Sequence, residues 1–305
     1  MRLLHTKLSA RTKEGLRLVG IDPMLPRRQL VSALALTKTG LRRSLLGQNH
    51  KTDLGDSFGY SSRMMYLSPH LEGLVNSCIF ASPGCAAGCL ISSGQMITSG
   101  CGFSRISKRL FFEVDPERFK AFFELEVMEH ELRADMEGRL PVVRPNGTSD
   151  MNPFGFCDMA KFPEVQFMDY TKRPLRSARR LGLLDIPNYH LTFSLDERPI
   201  SRMRADAWLK AGYGVAVVVG GDSGTKKKQA KEQAQKIVKR GHLWGYPVVD
   251  GDEHDLRFLT SGAHFVILSA KGKALKDKTG FVVRPPRLVD PFGRHVGITL
   301  QAGAA

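Results

Sequence analysis

Short apolar runs recur through the middle of this chain, roughly 24 to 26 residues apart, each followed by a polar turn. They are Pro141-Val142-Val143-Arg144, Val165 to Tyr170, Tyr189 to Ser194 and Val215 to Val219, with later ones at Val248-Val249 and Phe265 to Leu268. That interval is too long for hairpins and leaves room for one helix per unit, so the strands are expected to pair in parallel through right-handed crossovers. The unbroken Val215 to Val219 run fits a strand covered on both faces. The expected fold class is α/β: a complete or partial (β/α) barrel of parallel strands with a basic N-terminal extension. An open doubly wound sheet is the alternative.

Upstream, Met64-Met65-Tyr66-Leu67 reads as the first strand. A helix is expected after Cys89, with a break at Gly100-Cys101-Gly102. Another starts at Pro116, where proline is tolerated, and carries Phe119, Phe123, Val127 and Leu132 at helical period up to Gly138. A basic helix spans Lys226 to Arg240. Residues 1–62 form the extension, with a short amphipathic helix over Leu30 to Leu46. Residues 63–290 form the barrel-like domain and 291–305 a tail.

The first strand runs into Asn76-Ser77-Cys78-Ile79-Phe80-Ala81-Ser82-Pro83-Gly84-Cys85-Ala86-Ala87-Gly88-Cys89, which holds three of the five cysteines. Pro83 and Gly84 make its first half a tight loop. A helix starting near Cys85 would put Cys85 and Cys89 on one face, and with Cys78 the thiols could meet at a metal or an iron–sulfur cluster. Buried free cysteines acting as small hydrophobes and a structural disulfide are the other readings. The odd cysteine count and the lack of a secretory signal weigh against the disulfide. Cys101 is a candidate fourth ligand, and Cys157 is expected to pack in a helix.

The formal charge of +15 favours polyanionic partners, nucleic acid or a phosphate-bearing substrate. Residues 1–60 contribute eleven Lys/Arg against four Asp/Glu. Further clusters lie at Lys172-Arg173 with Arg176, Arg179 and Arg180, at Lys226-Lys227-Lys228, and from Lys271 to Arg287. Each alone is as readily a solvated helix face. No apolar run has the length of a membrane span, so a soluble cytoplasmic protein is expected. Oligomeric state is not legible.

In either fold, ligands gather at the C-terminal ends of the strands. Those ends carry Asn146, Thr148, Ser149 and Asp150; Asp169, Thr171 and Lys172; Ser194, Asp196 and Glu197; Asp222 and Ser223; and Ser269 and Lys271. Taken singly, Asp150, Asp196 and Asp222 read as plain helix caps. His190, inside a strand, reads as a satisfied core residue. The acidic stretch Asp250 to Asp255 lacks a full calcium-loop pattern.

Together these residues resemble the radical S-adenosylmethionine superfamily. More closely, they resemble phage-encoded proteins with a radical-SAM-like barrel. The likeness lies in Ser82-Pro83-Gly84-Cys85, Asn146-Gly147-Thr148-Ser149-Asp150, Tyr170-Thr171-Lys172 and Asn188 to Ser194, and covers roughly residues 64 to 283. It implies a [4Fe–4S] cluster on Cys78, Cys85 and Cys89, with the fourth iron open to S-adenosylmethionine. Reductive cleavage of that cofactor then gives a 5′-deoxyadenosyl radical. Asn146, Gly147, Thr148, Ser149 and Asp150 would lie near the methionine amino group, with Ser194 and Lys271 facing the nucleoside or substrate; for the host of such a phage the place of action is the host cytoplasm. The spacing here, Cys-x6-Cys-x3-Cys, departs from the superfamily's Cys-x3-Cys-x2-Cys. A structural zinc in a nucleic-acid-binding or replication-associated protein is the alternative.

Overall fold

The computed structural model describes residues 54–70, 72, 75–221 and 226–284, together with 13, 17, 21–26, 29 and 44–48. Asp222, Ser223, the C-terminal tail and most of the extension with its expected helix lie outside the described residues. The strands are β1 (Leu46–Gly47), β2 (Tyr60–Met65), β3 (Leu140–Arg144), β4 (Gln166–Thr171), β5 (Tyr189–Ser194), β6 (Gly214–Val219), β7 (His242–Leu243), β8 (Tyr246–Asp250) and β9 (His264–Ser269). The helices are α1 (Pro83–Ala87), α2 (Ser99–Val114), α3 (Pro116–Met136), α4 (Leu175–Arg180), α5 (Pro199–Lys210) and α6 (Lys227–Arg240).

The strands form one mixed sheet in the order β1-β2-β3-β4-β5-β6-β9-β8-β7. Pairing is parallel from β2 through β6 to β9 and β8, and antiparallel only for β1 and β7 at the two ends. The parallel pairing inferred from the spacing is therefore present. Closure is not: β1 and β7 each pair on one side, so the sheet does not close and the complete barrel is corrected to an open sheet. The order advances without reversal from β2 to β6, which with right-handed crossovers puts the connecting helices on one face.

Alternation along the strands confirms that placement. Met65, Val143, Phe167, Leu191, Phe193, Val215, Val217, Phe265 and Ile267 share one buried cluster with Phe119, Phe123, Trp208 and Ile237 from the helices. The opposite face is held by a smaller cluster, in which Val142 and Met168 meet Leu256 from the chain after β8.

Local signals explain the helix ends. Asp115 caps α3 by accepting from Arg118 N at 3.0 Å, with Pro116 at the first position. Gly241, at φ 78°, stops α6. Two expectations are corrected. The first strand begins at Tyr60, earlier than Met64. Gly100-Cys101-Gly102 lies inside α2, because Thr98 starts the helix by accepting from Cys101 N; only 3-10 turns separate Cys89 from it. Glu126, buried on α3, accepts from Leu45 N at 2.8 Å and Leu46 N at 2.7 Å, fastening β1 to the helix layer.

His130, also on α3, is buried with Nε2 donating to Ser61 O at 2.9 Å. Burial, with Arg63 nearby, lowers its pKa from 6.5 to about 4. The unfolded chain takes up a proton near 6.5, the folded one only near 4, so this histidine's stabilisation is present above 6.5 and lost as pH falls toward 4. Urea unfolding at about pH 7 and about pH 5 should show lower stability at the acid end. His130→Gln should show a smaller loss; an equal loss in both proteins contradicts the assignment.

Candidate functional site at the C-terminal rim of the sheet

The cysteine loop lies over the ends of β2, β3, β4 and β5, where the sequence placed its candidate ligand groups. Ser82 caps α1, its Oγ accepting from Cys85 N at 3.1 Å, and Pro83 follows at the first helical position. The helix then stops: Gly88 is its C-cap, so Cys89 lies beyond it. The expectation that Cys85 and Cys89 share one helical face is therefore corrected, because Ala87 is the last helical residue.

Two neighbouring residues after β5 clamp this loop. Glu197 accepts from Ser82 Oγ at 2.6 Å and from Gly84 N at 2.8 Å. Arg198 donates to Phe80 O at 2.6 Å while gripping Asp196 through two nitrogens. Gly84 is required by close approach: a Cβ there would sit 2.7 Å from Phe281 Cβ and 2.8 Å from Glu197 Oε2. Neither clamp residue stood out in sequence beyond its place at a strand end.

The 146–150 segment is a self-satisfied turn. Asn146 donates from its backbone N to Asp169 Oδ1 at 2.7 Å and from Nδ2 to Asp169 Oδ2 at 2.9 Å. Its Oδ1 accepts from Ser149 Oγ at 2.7 Å and Met151 N at 3.0 Å. Gly147 is another close approach, since a Cβ would fall 2.6 Å from Met65 O. Thr148 Oγ donates to Leu67 O at 2.6 Å, and Cys78 Sγ lies 3.5 Å from Thr148 O. Asp150 accepts from Thr171 Oγ1 at 2.7 Å and Lys172 N at 2.9 Å, so it is a tie between loops and not a helix cap. Asp169 also accepts from Tyr189 OH at 2.9 Å; burial raises its pKa to about 6 against these bonds.

Lys172 is the cation at the centre. It is buried, donating to Ser194 O at 2.9 Å and Ser194 Oγ at 3.1 Å, with Asp196 at 3.8 Å and the Phe281 ring at 5.4 Å. Ser194 is thus engaged by Lys172. Lys271 is engaged elsewhere, with Asp252 at 2.7 Å, and Asp252 also accepts from Ser269 N. Asp255 pairs with Arg144 and Asp250 with Gln235, so all three aspartates of the 250–255 stretch are engaged by protein partners.

The three thiols are electrostatic neighbours. Burial pushes the Cys78 thiol up to about 12, with Asp150, Cys89 and Cys85 adding to the rise. Burial likewise raises Cys85, opposed by Lys172, and Cys89, opposed by a backbone hydrogen bond. Among the described residues, no three His, Cys, Asp or Glu side chains are drawn tightly enough together to hold a single metal ion. Cys101 sits in the first turn of α2. Cys157 is fully buried after a 3-10 turn and belongs to the main core, packed there without being helical. Beside Cys89 lies a cleft of about 400 Å³ lined by Glu72, Met96, Arg105 and Lys273, with Glu72 and Arg105 ion-paired.

Glu197→Ala removes two acceptors from the loop and should cost on the order of 1–3 kcal/mol. It should also speed labelling of Cys85 by a thiol reagent. Gly84→Ala should destabilise by about 1–3 kcal/mol through overpacking. An unchanged labelling rate in Glu197→Ala contradicts the clamp.

Among the described residues no helix is long and apolar enough to cross a membrane. No curated protein and no solved structure matches the chain. A family model described as gene product 88 matches residues 36–285, well over half of the 305 residues. The chain therefore belongs to the gene product 88 family, a family of the phage type.

Proposed function

We propose that the rim site holds an iron–sulfur cluster on Cys78, Cys85 and Cys89, in a partial barrel of radical-SAM-like type. The observation that carries this reading is that three desolvated thiols of one clamped loop, over the ends of parallel strands, lie near enough to raise one another's pKa. Their soft sulfur donors suit iron–sulfur clusters and zinc alike. A structural zinc would hold its thiolates about 2.3 Å from one point, whereas a cluster would take one iron per thiolate.

The chain's own residues then have distinct tasks. Glu197 and Arg198 fix the loop so that Cys85 is presented beside Lys172. Lys172 favours the thiolate of Cys85, whereas Asp150 disfavours thiolates at Cys78 and Cys85 until a cation balances them. The 146–150 turn sets one wall of the site, held by Asp169. Bound with S-adenosylmethionine, a cluster with one open iron would supply the electron for its reductive cleavage.

A second reading has one observation in its favour. The outer face of α6 exposes Lys227, Lys228, Lys231, Lys236, Lys239 and Arg240, with Glu232 as the acid among them, as a polyanion-binding face would. By contrast, Lys172 and Arg173 are buried, so the 172–180 run is not a uniform basic surface.

Anaerobic purification with iron, sulfide and zinc analysis tests the first reading. About four irons and four sulfides per chain are expected. Cys78→Ala, Cys85→Ala and Cys89→Ala should each lose the cluster, while Cys157→Ala retains it. About one zinc with no iron contradicts it. For the second reading, Lys228→Gln with Lys231→Gln and Lys239→Gln should lower the salt slope of nucleic-acid binding by about 2.7; an unchanged slope excludes this face.

A further inference from the structure

Away from the thiols, the face of the sheet opposite the helices carries an unusual set of side chains. Alternation places Tyr170, His190, Thr192 and His264 on this face, with Arg144 beside them. Register brings them together: Tyr170 is opposite Thr192, and Gly214 is opposite His264. Ser194 pairs with Ala216, so Thr192 stands next to Gly214 in the same row. The 3-10 turn Arg257–Leu259 packs onto β5 and carries Arg257 to this row. His190 and His264 lie at or near the starts of their strands, away from the rim that holds the cysteine loop.

Buried polar atoms without a protein partner are concentrated here among the described residues. They are Tyr170 OH, His190 Nε2, Thr192 Oγ1, His264 Nε2, Arg144 Nε, and both Nε and Nη2 of Arg257. Arg257 is only 4% exposed and has no ion pair within the described residues, whereas Arg144 is paired with Asp255 at 3.6 Å. A guanidinium in that state has lost hydration without gaining a counter-charge, which is costly. Burial lowers the pKa of both histidines, and Arg257 adds to the lowering in each, so they share its field.

We propose that Arg257, Tyr170, His190, Thr192 and His264 form a binding site for a phosphoryl group of a small molecule. Arg257 supplies the fixed positive charge and two donors, which suit an oxyanion. Tyr170 and Thr192 add hydroxyl donors. His264 discriminates among oxyanions. Its Nδ1 donates to Gly262 O at 2.7 Å, which leaves Nε2 as an acceptor in the neutral ring. A hydrogen phosphate or its monoester offers several acceptor oxygens for Arg257 and a hydroxyl for His264; a carboxylate offers no such donor. Gly214 is part of the design, because a Cβ there would lie 2.7 Å from His264 Nε2. Tyr170 and His190 are half-buried, so their side of the cluster is the one nearest to solvent.

This site does not depend on the thiols, and the test separates the two by using the Cys85→Ala protein alongside the wild type. Binding of inorganic phosphate is measured by calorimetry and thermal unfolding, against acetate and chloride at equal ionic strength. Both proteins should bind phosphate, at least tenfold more tightly than acetate. Arg257→Gln should weaken phosphate binding at least tenfold. Thr192→Val, close in shape, should weaken it several-fold. In phosphate-free buffer Arg257→Gln should be at least as stable as wild type, since it removes an uncompensated buried charge. No phosphate binding by the folded wild type, equal binding of acetate, unchanged binding in both variants, or clear destabilisation by Arg257→Gln without phosphate would each overturn the proposal.

Discussion

Asp150 is the contact on which the rim depends. Its carboxylate accepts from Thr171 Oγ1 and Lys172 N at the end of β4, and its backbone N donates to Ser77 O, next to Cys78. One residue thus ties the β3 end, the β4 end and the cysteine loop. It is buried, and burial raises its pKa against the hydrogen bonds that favour the ion. The same buried charge lies close enough to Cys78 and Cys85 to raise both thiols. Lys172 is the buried cation beside Cys85, and it also answers Asp196.

The second constraint is steric. Gly84 and Gly147 both sit where a methyl group would collide with neighbouring chain, one against residues 197 and 281, the other against β2. The cysteine loop is pressed between the post-β5 clamp and the 277–283 segment, where Asp277 accepts from Thr279 N, Gly280 N and Val282 N. A site defined by close backbone approach and two short loops tolerates little change, which is the condition for presenting three side chains in a fixed arrangement.

The strands were legible because each is a short apolar run ending in a polar turn, and β3, β4, β5, β6 and β9 lie within a residue of their expected limits. Closure was not legible, because nothing in a strand's own sequence records whether the end strands meet. The helix holding Cys85 does not reach Cys89 because Gly88 ends it, and the helix expected after Cys89 starts only at Ser99, running through the expected break because Thr98 caps it across two glycines. Lys172 is legible as a strand-end candidate and, with Arg173, as part of a basic cluster, but the burial of both is not, since their partners come from the ends of β5 and from Phe80, contacts that no local pattern reveals. His190 read as a satisfied core histidine. Its Nε2 has no protein partner, and its neighbours His264 and Arg257 come from 60 or more residues away in sequence.

The most direct test of the account is electron paramagnetic resonance of the anaerobically prepared, chemically reduced protein, recorded with and without S-adenosylmethionine. A cluster on Cys78, Cys85 and Cys89 with one open iron predicts a paramagnetic iron–sulfur signal whose g-values shift when S-adenosylmethionine is added. A signal unmoved by S-adenosylmethionine, or no signal from protein carrying a full complement of iron, would contradict it.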